Sequence, residues 1–196
     1  MSSSSSKRHS ILPPTSTSGP KPPVQFSSSI TIADSTVLTG SNPILISSES
    51  VLHPRSRIDS LAGRISIGRR CIIHERATLG SVGTSGRITE RGVTLGDYVT
   101  VEVGASVEAG DTVVGEGTVV GVGAKIGAGA VIGRNCTITA RSVIAAGEVL
   151  RDNTVVYSNG MRRVDRRGVA ELRKKGQARQ IGVLRMMIPS NPGKFQ

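Results

Sequence analysis

Histidine is the side chain best suited to moving a proton at neutral pH, and this chain has three: His9, His53 and His74. A histidine in reach of an acceptor's hydroxyl or amine could act as the general base of an acyl transfer, and His53 and His74 are the candidates. A catalytic zinc site needs more: three convergent ligands and an open fourth position. His9 lies in a serine-rich stretch, and His53 and His74 stand 21 residues apart, so the spacing supplies no third ligand. Isolated histidines are more often structural, and His53 precedes Pro54 at what reads as a bend, with His74 in a similar place. The reading is therefore of a chain with no catalytic residue, no cofactor and no metal. Cys71 and Cys136 are too distant for a CxxC motif and read as small core residues.

The elements that must position these residues announce themselves as a six-residue repeat. Val114, Val120, Ile126, Ile132, Ile138, Ile144, Leu150 and Val156 follow one another at intervals of six. The same step joins Leu95, Val101 and Val107, and further back Ile32 to Leu38, Ile46 to Leu52 to Ile58, and Ile67 to Ile73 to Leu79. The seven-residue gap from Val107 to Val114 fits one residue bulging at a corner. The position after the aliphatic residue is often glycine, as at Gly68, Gly96, Gly115, Gly121, Gly127 and Gly133, read here as supplying unusual corner angles. Four residues after the aliphatic stand small side chains: Ala105, Thr118, Ala124, Ala130, Cys136, Ser142 and Thr154. Neither helical spacing nor plain alternation gives this pattern. Three short strands per turn do, with one aliphatic residue filling each side of a triangular prism. The expected fold is all-β: a left-handed parallel β-helix of about six to seven coils, a rod roughly 30 Å long at the usual strand spacing.

Three divisions follow. Residues 1–29, rich in serine and proline, are expected to lack fixed structure. Residues 30–158 form the β-helix, with a loop at 80–94. Residues 159–196 form a basic segment, a helix packed on the prism, in which Val169, Leu172, Ile181, Leu184 and Ile188 recur at roughly helical intervals while Gly168, Gly176 and Gly182 weaken it. The net charge of +11 is uneven: residues 31–150 carry eleven basic and eleven acidic side chains, whereas residues 151–196 carry eleven basic and three acidic. A neutral body without an aromatic stacking platform argues against specific nucleic-acid binding. No apolar run reaches signal-peptide or membrane-span length, so a cytoplasmic protein is expected.

Two resemblances sharpen the functional expectation. Arg57-Ile58-Asp59, then Ile67-Gly68 and Leu95-Gly96-Asp97-Tyr98-Val99-Thr100, resemble the gamma-class carbonic anhydrases. Arg57 and Asp59 match that family's Arg-x-Asp pair. The resemblance places its three zinc-binding histidines at Gly80, Val103 and Glu108, which implies a related scaffold without the metal chemistry. More of the chain, roughly 30–165, resembles the dynactin subunit 6 family. The carriers are Val51 to Ile58, the excursion after Leu79, Val101-Glu102-Val103-Gly104, and above all Asp152 to Tyr157 leading to Met161-Arg162-Arg163-Val164. That resemblance implies a non-catalytic structural subunit of the dynactin pointed-end complex, in the cytoplasm and on the cytoskeleton. Its partners would be dynactin subunit 5, the pointed-end actin-related protein and the dynein–dynactin complex, with membrane contact only indirect. Arg57, Asp59, Arg162 and Arg163 would be partner contacts. The alternative from fold alone is a hexapeptide-repeat acyltransferase or an anhydrase-like enzyme.

Overall fold

The computed structural model describes residues 21–82 and 91–195. Parallel strands of two to four residues stack into three sheets, each forming one face of a prism. Face 1 runs from Val24–Phe26 to Val149–Leu150, face 2 from Thr31–Ile32 to Thr154–Val156, and face 3 from Val37–Thr39 to Val143–Ile144. The chain visits the faces in that order, making six full coils and two sides of a seventh. The all-β, left-handed parallel β-helix with a C-terminal α-helix is the fold found. A strand of two residues has no stability alone; it persists because the coils above and below pair with it and share its core.

The hexad residues build that core as columns of like on like. Val114, Ile132 and Leu150 stand in register on face 1, Val120, Ile138 and Val156 on face 2, and Ile126 and Ile144 on face 3. All eight are buried. The small residues four positions on, from Ala105 to Thr154, are buried too, where the bends leave no room for more. The glycine after each aliphatic residue has a different cause from the one expected. Gly68, Gly115 and Gly133 do not adopt positive φ. A Cβ at Gly68 would lie 2.4 Å from the Gly96 carbonyl oxygen of the next coil, and one at Gly115 2.6 Å from the Gly133 carbonyl. Close stacking of corners demands these glycines. The left-handed conformation falls two residues later, at Gly117, Gly123 and Gly129, but equally at Arg55, Arg76, Asn135 and Arg141.

Every departure from the six-residue step sits on one edge. Face 1 residues Val24, Ile44, Ile65 and Val93 stack in register although 20, 21 and 28 residues separate them, whereas Val113, Val131 and Val149 are 18 apart. The extra residues leave between face 3 and face 1, the single one after Val107 coinciding with a register shift in that strand. The loop expected at 80–94 belongs to this edge, but its ends are strand: Thr78–Ser81 and Val93–Leu95. Residues 83–90 lie outside the described residues, as do residues 1–20 of the N-terminal stretch. The remainder of that stretch is not all tail, because Val24–Phe26 pairs with Ile44–Ile46.

Beyond Tyr157 the chain reverses, and Arg162–Val164 pairs antiparallel with Thr154–Val156, closing the end of face 2. Helix α1 (Ala170–Met187) then runs back along face 2. Its one buried side chain, Ile181, packs on Val51 and Ile72, with Leu184 and Ile188 at the margin. Leu172, which the helical spacing placed with them, is 71% exposed. Gln177 donates from Nε2 to the Arg70 carbonyl at 2.8 Å, and Lys174 pairs with Glu116 at 2.7 Å. Past the helix, the Ile32 amide donates to the Ser190 hydroxyl at 2.9 Å, and Phe195 packs against the core beside Val24 and Leu38.

Candidate functional site

Leu52, Ile73 and Val101 stand one above another on face 2, so the residues that follow them, His53, His74 and Glu102, line one corner between faces 2 and 3. Backbone bonds fix the ledge: the His53 amide donates to the Ile73 carbonyl at 2.9 Å and the His74 amide to the Val101 carbonyl at 2.8 Å. The His53 carbonyl in turn accepts the Ser56 hydroxyl at 2.8 Å. The two imidazoles lie 4.6 Å apart between ring centroids, tilted by 30°.

Glu75 completes the group. One carboxylate oxygen lies 2.8 Å from His53 Nδ1, and the other 3.7 Å from His74 Nδ1. One donor atom from each of His53, His74 and Glu75 falls within 4.8 Å of the other two. Exposure is graded: the side chains of His53, His74 and Glu75 are 8%, 19% and 43% accessible. His53 Nε2 is buried and has no hydrogen-bond partner among the described residues.

The electrostatics divide the roles. Burial, with the neighbouring His53 ring, holds His74 below the ordinary imidazole value, against the opposing pull of Glu75 and Glu102. His74 is therefore a neutral ring at neutral pH. Burial pushes the Glu75 carboxyl up, but its backbone hydrogen bond and the His53 ring outweigh that and leave it below the usual range. An ionised carboxylate beside two imidazoles, one of them reachable from solvent, is an arrangement for taking a proton from an incoming group.

This corrects the spacing argument. Twenty-one residues is one turn of this prism at the level of Leu52 and Ile73, because the extra residues leave at another corner. His53 and His74 are thus neighbours along the axis. Glu75 is a site residue that the spacing does not single out; its signal is adjacency to His74 once coil register is counted.

The other expected positions are scattered. Gly80 has φ +81°, and a Cβ there would lie 2.0 Å from the Asp59 carbonyl oxygen, so no larger side chain fits. Val103 is surface-exposed, and Glu108 accepts the Ala128 amide at 3.2 Å. The anhydrase zinc site does not fit these residues. Arg57 and Asp59 occupy one strand of face 3, where Asp59 accepts the Leu61 amide at 2.9 Å. Arg162 pairs with Glu148 at 2.5 Å across the end of the solenoid, and Arg163 lies exposed beside it.

A family model described as bacterial transferase hexapeptide, six repeats long, matches residues 111–146. The fold is a hexapeptide-repeat left-handed β-helix. Solved structures agree over most of the chain. A hexapeptide transferase family protein from Anaplasma phagocytophilum superposes with a TM-score of 0.63 at 14% identity, covering 86% of this chain and 99% of its own. A Bacillus cereus protein provisionally assigned as an acetyltransferase gives 0.51 at 17% identity with the same coverages. A UDP-N-acetylglucosamine O-acyltransferase from Moraxella catarrhalis gives 0.37 at 15% identity over 70% of this chain and 63% of its own. No curated protein matches. At such identities the likeness is one of fold.

One expectation is corrected. The sequence predicts a non-catalytic chain; against that, two structures that share the fold over most of the chain are named a hexapeptide transferase family protein and an acetyltransferase, and the corner brings together a His–Glu–His group. The finer resemblance to dynactin subunit 6, with its cytoskeletal setting, draws no support from these matches. Among the described residues, no helix is long and apolar enough to cross a membrane.

Proposed function

We propose that the chain is a hexapeptide-type acyltransferase, with His74 as general base. The observation that carries this is the Glu75 carboxylate seated between the two imidazoles. Glu75 faces Nδ1 of His74, which favours the tautomer with the proton on that nitrogen and leaves Nε2 to accept one from a hydroxyl or amine. As the acceptor attacks the thioester carbonyl, its proton passes to His74 and Glu75 stabilises the imidazolium that forms; the tetrahedral adduct then collapses with cleavage of the C–S bond, and the departing thiolate takes the proton back from His74. His53 is a positioning residue: it holds the carboxylate at 2.8 Å and is itself too buried to meet substrate.

The test is turnover with acetyl-coenzyme A as thioester donor against a panel of hydroxyl and amine acceptors. His74→Asn should lower kcat about 100- to 10,000-fold with little change in KM. Glu75→Gln should lower kcat less and shift its acid limb. Wild-type turnover in His74→Asn, or none in the native protein with any acceptor, overturns the proposal.

A second reading has one observation behind it. The block carrying the dynactin resemblance, Asp152 to Val164, is the one that closes the solenoid through the antiparallel Arg162–Val164 strand. On this reading the closed end, with Arg162 and Arg163 on its rim, seats the chain in a dynein–dynactin assembly beside subunit 5. Co-purification of a second β-helical subunit with actin-related proteins would favour it, and a stable homotrimer would count against it.

A further inference from the structure

The same corner has the makings of a metal site that neither resemblance nor fold assigns. We infer that His53, His74 and Glu75 bind one divalent transition-metal ion, of which zinc and cobalt are the representatives, through one nitrogen of each ring and a carboxylate oxygen. The metal binding rests on geometry alone; only its consequence for transfer rests on the acyltransfer reading.

The donors are the two-nitrogen, one-oxygen set that suits such an ion, and they leave a fourth position toward solvent. They lie within 4.8 Å of one another. Zinc at its usual distances of about 2.0–2.1 Å draws ligand atoms to roughly 3.3 Å apart, so the group must contract by about 1.5 Å. Glu75 already meets His53 at 2.8 Å and His74 at 3.7 Å, so the distance left to close lies between the two rings, and rotation of the imidazoles about their side-chain bonds must supply it. The imidazoles start 4.6 Å apart on adjacent coils whose backbone bonds hold the ledge rigid.

Two further features favour a cation. His53 keeps one ring nitrogen buried and unpartnered among the described residues, a state that costs free energy unless something uses it. Charge also favours it: Glu102, next on the ledge, adds a second carboxylate, which donates nothing and accepts the Val122 amide at 3.0 Å. This set is distinct from the anhydrase positions, which Gly80 and Val103 cannot serve.

A bound ion would take the lone pairs that the base mechanism uses, so the metal would switch transfer off. The experiment is titration of the full chain with cobalt(II), followed by visible absorbance, and with zinc(II) by calorimetry. One equivalent should bind, with a visible d–d band of low-coordinate cobalt that zinc displaces. His74→Asn and Glu75→Gln should each weaken binding at least about tenfold, and the double variant should abolish the band. Circular dichroism checks that the variants stay folded. No saturable binding up to millimolar metal, or binding that the double variant leaves intact, overturns the site. Cobalt binding in a protein without transferase activity would keep the site and discard the acyltransfer reading. Transfer that zinc does not inhibit while bound would discard the switch.

Discussion

Ile181 is the one buried side chain of helix α1, whose other ties to the prism include the Lys174–Glu116 pair and the Gln177 bond to the Arg70 carbonyl, and removing it should loosen the helix while leaving the solenoid standing. Ile181→Ala deletes three buried carbons that contact Val51 and Ile72, a loss of about 2.4 kcal/mol at the usual value per methylene. Nothing in the helix makes up the difference: Gly176 and Gly182 each weaken it by about 1 kcal/mol relative to alanine. At about 1.4 kcal/mol per decade, the detached population should rise about 50-fold. Trypsin reads this directly, because Lys174, Lys175 and Arg179 lie inside the helix, and hydrogen exchange reads it residue by residue. Cleavage within α1 should accelerate by that factor while amides of the central coils keep their protection. The repair is equally defined. No atom lies within 4 Å of a Cβ placed at Gly176 or Gly182, so Gly176→Ala with Gly182→Ala should restore about 2 kcal/mol and most of the protease resistance. If Ile181→Ala melts α1 and the central coils together, or the glycine replacements fail to slow cleavage, the view of α1 as a separable strap with Ile181 as its buried anchor is wrong.

Three further outcomes follow from the core and the corner. Ile126→Ala, at a fully buried column position, should cost about 2–5 kcal/mol and lower the urea midpoint of the whole solenoid, since neighbouring coils cannot close the gap. His74 has a depressed proton affinity in the fold, so the unfolded chain takes up the proton first as pH falls. Stability should be highest above the ordinary imidazole value, fall as pH drops from about 7 through about 6.5, and level off below the folded value; urea midpoints between pH 8 and 5 should lose that slope in His74→Asn. Cys71 is buried with its thiol pushed up to about 12, so a thiol reagent at neutral pH should label it only after denaturation.

The prism was legible because each aliphatic hexad residue faces the same interior, so periodicity along the chain maps directly onto burial. Ile46, Leu52 and Ile58 show this even where the joins are irregular. What could not be read was register between coils. The extra residues at 40–43 and 60–64 do not disturb a hexad, but they decide which residues of successive coils become neighbours. His53 and His74 looked distant for that reason, and Glu75 looked like one more surface carboxylate. Leu172 failed for a different cause: helical spacing says which residues share a face, not whether the face meets anything. The corner glycines were placed correctly and explained wrongly, because close approach between coils is invisible in a single turn of sequence.

One segment reaches both ends of the solenoid. Arg162–Val164 pairs with the last strand of face 2, and after the length of α1 the same stretch of chain brings Ser190 and Phe195 to the first coil. A solenoid on its own is a local object whose coils consult only their neighbours, and it can begin folding at any of them. Here the first coil gains its contacts with Ser190 and Phe195 only after every later coil has been made. Folding therefore acquires a late, long-range step, with loop-closure entropy to overcome.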